Sequence, residues 1–156
     1  MKWSKLKQRL EERFAPEIGK RIRIHVTRYR ESHDAEGELL VTLDGEKIYG
    51  AAFLAYYQDS LLLRASLRAE YPHRSDLDKE IDRRMIPEGH DDHYVLMKAA
   101  FLSLSQPIEE MLASPHVFIR GLAVLDARCG KRRLGKIDTA TEHPLVARLH
   151  ALRLAA

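Results

Sequence analysis

The residues best equipped for chemistry form one dense run, Arg128-Cys129-Gly130-Lys131-Arg132-Arg133-Leu134-Gly135-Lys136. Lysine and arginine bring charge and hydrogen-bond donors to anionic oxygens, and a turn bracketed by glycines lets backbone N–H groups approach an anion closely. The ligand-binding candidates are therefore Arg128, Lys131, Arg132, Arg133 and Lys136. The same cations also suit the negative C-terminal end of a preceding helix and could pair with acidic residues elsewhere in the chain. Gly130, four residues, Gly135 and Lys136 further reproduce G-x-x-x-x-G-K. Ile137, however, stands where a phosphate-binding loop needs the hydroxyl that holds Mg²⁺, and what precedes reads as a helix rather than the required strand. Nucleotide hydrolysis is not expected there.

Two other segments hold reactive side chains. His90-Asp91-Asp92-His93 places two imidazoles and two carboxylates within four residues, so His90, Asp92 and His93 are a conceivable metal site. Aspartates there equally suit the cap of a following helix, and no second ligand cluster accompanies them. Thr27-Arg28-Tyr29-Arg30, with His33 and Asp34, combines an aromatic ring with cations at a strand end, as some nucleic-acid surfaces do. Arg28 and Arg30 join the binding candidates, although a solvated strand end explains them equally well. The neighbouring cations could lower the pKa of Cys129, but a lone cysteine at a helix end is more often structural. No catalytic acid, base or nucleophile can be named, and His25, His116, His143 and His150 are scattered singly.

The elements that must position these groups are legible from periodicity. Trp3, Leu6, Leu10 and Phe14 share one face of an amphipathic helix. Arg21 to Thr27 alternates as a half-buried strand with Ile22, Ile24 and Val26 inward. Leu39 to Leu43 and Lys47 to Tyr49 flank Asp44-Gly45, the strongest hairpin signal present, because both central residues of a type I′ turn need positive φ. Helical spacing follows from Phe53 to about Glu70. Ser75 with Asp78 suggests a capping box opening a short helix to Met85. Asp91 or Asp92 caps the next, whose Tyr94, Val95, Met97, Ala100, Phe101 and Leu104 point to a core position, and a new helix follows Pro107. Ser114-Pro115 suits a helix start and Gly130 its C′ end. A final helix runs from about Glu142 past Pro144. The expected fold is α+β over 1–156 as a single domain: a small antiparallel sheet of about three strands with one hairpin, packed with five to six helices, the C-terminal part all helical.

Composition narrows the class. The chain is 45% hydrophobic and 31% charged with a net charge of +3, the make-up of an ordinary globular protein. No charge-free stretch is long enough to cross a bilayer, no secretory signal opens it, and the single cysteine fits a reducing compartment, so a cytoplasmic location without membrane or cofactor is expected. Charge is uneven. Lys+Arg against Asp+Glu is 12 to 10 over 1–66, 6 to 10 over 67–113 and 8 to 3 over 114–156, that is +2, −4 and +5.

Several segments together resemble a family of small uncharacterised bacterial proteins. They are Met1-Lys2-Trp3-Ser4-Lys5-Leu6, Thr27 to Arg30 with His33-Asp34, Asp44-Gly45-Glu46, Leu122-Ala123-Val124-Leu125-Asp126 through Gly130-Lys131-Arg132-Arg133-Leu134, His143 to Val146 and Leu152-Arg153. Ala127 departs from that pattern, where an arginine is expected. The resemblance carries no established activity and so transfers no catalytic residue. The expectation is a non-enzymatic binding or regulatory protein, of the kind that neutralises a toxin or modulates a protein partner. A nucleic-acid module using the 128–136 cluster is the alternative, and a metal enzyme at His90 to His93 stands third.

Overall fold

The computed structural model describes residues 1–28 and 37–156. Tyr29, Arg30, His33 and Asp34 lie outside the described residues. The chain runs α1 (Trp3–Glu11), β1 (Ile22–Arg28), β2 (Gly37–Leu43), β3 (Glu46–Ala52), α2 (Phe53–Leu67), α3 (Arg74–Met85), a 3-10 turn (Ile86–Glu88), α4 (His93–Ser103), α5 (Ile108–Leu112), α6 (Val117–Leu125), α7 (Lys131–Leu134) and α8 (Pro144–Ala155). This is the α+β arrangement expected. The helix number is higher; the four-residue α7, within the run read as a turn, is too short to leave a periodic pattern.

The sheet is an antiparallel meander, β1-β2-β3. Asp44 and Gly45 take φ of 51° and 89°, the paired left-handed conformation that lets a two-residue turn follow the strand twist. Ile22, Ile24, Leu39, Val41, Leu43, Tyr49 and Ala51 are buried on one face, and the register Ile22↔Leu43, Ile24↔Val41 stacks them cross-strand. Edge strand β1 is guarded from outside, since the Glu11 carboxylate of α1 accepts the Ile24 N–H at 3.0 Å.

Against that face lies α6, which is buried at every position except Arg120. Tyr49 stacks on Phe118 with ring centroids 6.3 Å apart. Gly121 allows α8 to approach closely, for a Cβ there would sit 3.2 Å from Leu149 Cδ1. The sheet, α6 and α8 therefore share one core, to which α1, α4 and α5 add side chains. A smaller cluster of Leu67, Leu77, Ile81 and Met85 joins α2 to α3. Among the described residues no helix is long and apolar enough to cross a membrane.

Several boundaries differ from the sequence reading. Ser75 lies inside α3, whose N-cap is His73, so the Ser75/Asp78 pair forms no capping box. Ser114 is not the N-cap of α6 either. His116 is, and the Ser114 hydroxyl accepts the His116 N–H at 3.2 Å. Helix α6 ends at Leu125, five residues before Gly130, which instead caps the start of α7. Asp92 does cap α4, accepting the Tyr94 N–H at 3.0 Å. Helix α4 is only half a core helix: Leu96, Ala100 and Leu104 are buried, while Tyr94, Val95, Phe101 and Leu102 are exposed.

Candidate functional site: a cationic cleft at the α6–α7 turn

The turn is fixed before its cations are placed. Asp126 leaves α6 in an extended conformation, φ −65° and ψ 132°, and its carboxylate is buried. It accepts the Arg128 backbone N–H at 2.9 Å and the Arg128 guanidinium at 2.7 and 3.0 Å. The N-terminal segment ties in alongside, with Ala15 N–H donating to Leu125 O and Ala127 N–H to Arg13 O, both at 2.8 Å. From below, α8 supplies two clamps three residues apart. Arg153, 7% exposed, donates to Val124 O at 3.1 Å and Cys129 O at 2.9 Å, and His150 Nε2–H donates to Leu134 O at 2.9 Å. Among the described residues no backbone donor is seen for Val124 O or Cys129 O, which Arg153 meets, whereas Leu134 O also accepts the Ile137 N–H at 3.1 Å and His150 adds a second bond there.

Buried Leu134 anchors α7, and Lys131, Arg132, Arg133 and Lys136 are exposed around it. Two of the five candidate cations in this run are already neutralised: Arg128 by Asp126, and Arg133 by Glu109 at 2.7 Å. Lys131, Arg132 and Lys136 form no ion pair among the described residues. Arg132, Arg133 and Lys136 line a cleft of about 570 Å³ whose apolar surface comes from Leu112, Ile137 and Val146. Glu109, Asp138 and Glu142, with Gly130 and Thr141, complete the lining. The Glu142 carboxylate is held by Arg120 at 3.0 Å, and Glu109 by Arg133; a backbone hydrogen bond first, then Arg133, keep the Glu109 carboxyl below its usual pKa. Asp138 turns inward on its own chain, accepting the Ala140 N–H at 3.1 Å.

The remaining candidates lie apart. Arg28 is exposed at the end of β1 and does not line the cleft, and Arg30 is outside the described residues. Ala127, the position where the resemblance calls for arginine, is exposed beside the neutralised Arg128. Cys129 is fully buried, and burial pushes its thiol up despite the neighbouring cations, so it is no activated nucleophile. The phosphate-loop likeness dissolves in the geometry: Gly130 and Lys136 flank a single helical turn that follows helix α6, not a strand.

His90 separates from Asp92 and His93, whereas His93 Nδ1 stays 3.3 Å from Asp92 Oδ1. His90 pairs with Asp59 of α2 at 3.1 Å, while Asp92 caps α4. His93 is 0% exposed, with neither ring nitrogen hydrogen-bonded among the described residues, and burial lowers its pKa while the adjacent Asp92 carboxylate works against that shift. Among the described residues no group of three or more potential ligands could hold a metal ion. A pairing that sequence reasoning missed is Asp91 with His116: His116 Nδ1–H donates to the buried Asp91 carboxylate at 2.7 Å. Burial raises the Asp91 pKa, and the His116 bond works against that rise. The two are 25 residues apart, and each side chain alone gives no signal.

The α6–α7 turn thus carries three cations without an ion pair among the described residues, beside a cleft of mixed polar and apolar lining. The chain belongs to the SF0329 protein family, which it matches over residues 2–154. No curated protein and no solved structure matches it.

Proposed function

We propose that this is a non-enzymatic binding protein that holds an acidic protein partner against the α7 turn and its cleft. The observation that carries the reading is that Lys131, Arg132 and Lys136 have no ion pair among the described residues, while Arg128 and Arg133 beside them are paired. Desolvated cations need carboxylates, and unpaired ones at a preformed cleft supply steering and specificity for an oppositely charged surface. The cleft lining favours a protein over a nucleic acid. Glu109, Asp138 and Glu142 would repel a continuous phosphate backbone, whereas Leu112, Ile137 and Val146 give an aliphatic anchor somewhere to go.

Fluorescence anisotropy with an acidic peptide carrying leucine anchors, against single-stranded DNA of equal charge, tests this directly. The peptide binds the wild-type protein, and the triple variant Lys131→Glu, Arg132→Glu, Lys136→Glu abolishes binding. Preferential binding of the DNA, with an affinity falling steeply with salt, would transfer the cluster to nucleic-acid recognition. Equal peptide binding by the triple variant would remove the cleft from the argument.

A further inference from the structure

Helix α2 is built for burial and is not buried. In a chain that is 31% charged, the exposed positions of this helix are Leu54, Ala55, Tyr57, Gln58, Leu61, Leu62, Ala65 and Ser66, with Asp59 as their one charge. Asp59 is itself paired with His90 at 3.1 Å. Within α2 only Ser60 and Leu67 are buried, while Tyr57 is 49%, Leu61 46% and Leu62 75% exposed. A helix apolar on nearly every side is normally covered on nearly every side. The exposed side chains amount to roughly 400–500 Å² of contiguous apolar surface, the size that marks an interaction site on a monomer.

We propose that α2 is the two-fold interface between two copies of this chain, packed antiparallel about an axis near residues 59 and 60. The spacing is self-complementary. At 100° per residue, Leu54, Gln58, Leu61 and Ala65 fall on one central stripe of the helix. An antiparallel copy centred there sets Leu54 over the second copy's Ala65, and Leu61 over the second copy's Gln58. On the flank, Leu62 comes beside the second copy's Ala55. Leucines thus meet alanines at two of these three steps and the Gln58 stem at the third, each pairing reciprocal as an isologous contact requires, residue i meeting j and j meeting i. The face carries no unpaired charge, so it offers nothing to an acidic or basic partner, and two copies meet there without repulsion. With each copy contributing roughly 400–500 Å² of apolar side chain plus its polar rim, the total passes the ~1,000 Å² that separates a specific contact from a chance one.

The site is independent of the cationic cleft, and its test is separate. Sedimentation velocity over about 1–200 µM, the range that brackets a micromolar Kd, gives a mass moving from 18.0 kDa toward twice that value. Leu61→Asp and Leu62→Asp, at exposed positions, each weaken association at least about 100-fold by placing an unpaired carboxylate in the contact, with unchanged circular dichroism. Gln58→Cys, next to the axis, cross-links the copies on mild oxidation, and the buried Cys129 stays unreacted. A protein that remains at 18.0 kDa throughout, a dimer insensitive to both aspartate variants, or a dimer that Gln58→Cys cannot cross-link overturns the proposal. The Lys131→Glu, Arg132→Glu, Lys136→Glu variant leaves the mass unchanged, so failure of the cleft reading leaves this one standing.

Discussion

Replacing Arg153 with methionine tests how the cationic turn is held. The guanidinium donates to Val124 O and Cys129 O from a buried position and reaches Glu17 at 3.3 Å. Val124 O lies in the last turn of α6, and its usual helical donor, the Arg128 N–H, is taken by the Asp126 side chain. Methionine fills most of the volume but offers no donor, leaving two buried carbonyls unsatisfied at about 1–3 kcal/mol each. The solvent-facing Glu17 contact adds under about 1 kcal/mol. The expected loss is about 3–5 kcal/mol, a large part of the ~5–15 kcal/mol typical of a domain, and lowers Tm by about 10 °C. Urea unfolding followed through Trp3, the one tryptophan, which packs against the core, reads it. Arg153→Lys recovers part of the loss, because one ammonium cannot span both carbonyls. Amide exchange at Arg133 and Leu134 accelerates beyond the global change if Arg153 holds the turn as described. A loss below about 1 kcal/mol for Arg153→Met would refute the reasoning, because it would mean that water or backbone satisfies those carbonyls equally well.

Other perturbations separate the remaining claims. Glu109→Gln releases Arg133, changes stability by under about 1 kcal/mol because the pair is exposed, and tightens binding of the acidic peptide with a steeper salt dependence in the anisotropy titration. Gly121→Val drives a branched side chain into Leu149 and costs about 1–3 kcal/mol in the urea midpoint. Burial lowers the pKa of His93 and of His143 below 6.5. Each therefore binds fewer protons folded than unfolded, so stability is full above pH 6.5 and declines as pH falls below it. His93→Leu flattens that acid limb in thermal scans run from pH 7 to pH 5, and an unchanged limb would show that His93 is not one of its sources.

What could be read from the residues was whatever rests on local geometry. Asp44-Gly45 announced its turn because the two residues best suited to positive φ stood together between apolar runs. The alternation of Ile22, Ile24 and Val26 announced a one-sided strand for the same reason. Caps were harder, since Ser75 and Ser114 carry the right side chain at the wrong position, and tertiary packing moved the helix starts by one or two residues. Gly130 misled by chemistry, as glycine serves at either end of a helix. The cationic run itself was visible, but which members were free was not. That depended on Asp126 turning back on Arg128 and on Glu109, 24 residues away in sequence, meeting Arg133. The exposed apolar faces of α2 and α4 were invisible in principle, because periodicity tells which residues share a side and not whether anything covers it.

The order of synthesis gives the clamps a further meaning. Leu134 and Cys129 are held by residues made 16 and 24 positions later, so while the ribosome is still translating α8 the cationic turn has its charges but not its shape. The turn takes its final form only once α8 has emerged and docked, so the last residues to be made set the geometry of a segment made before them.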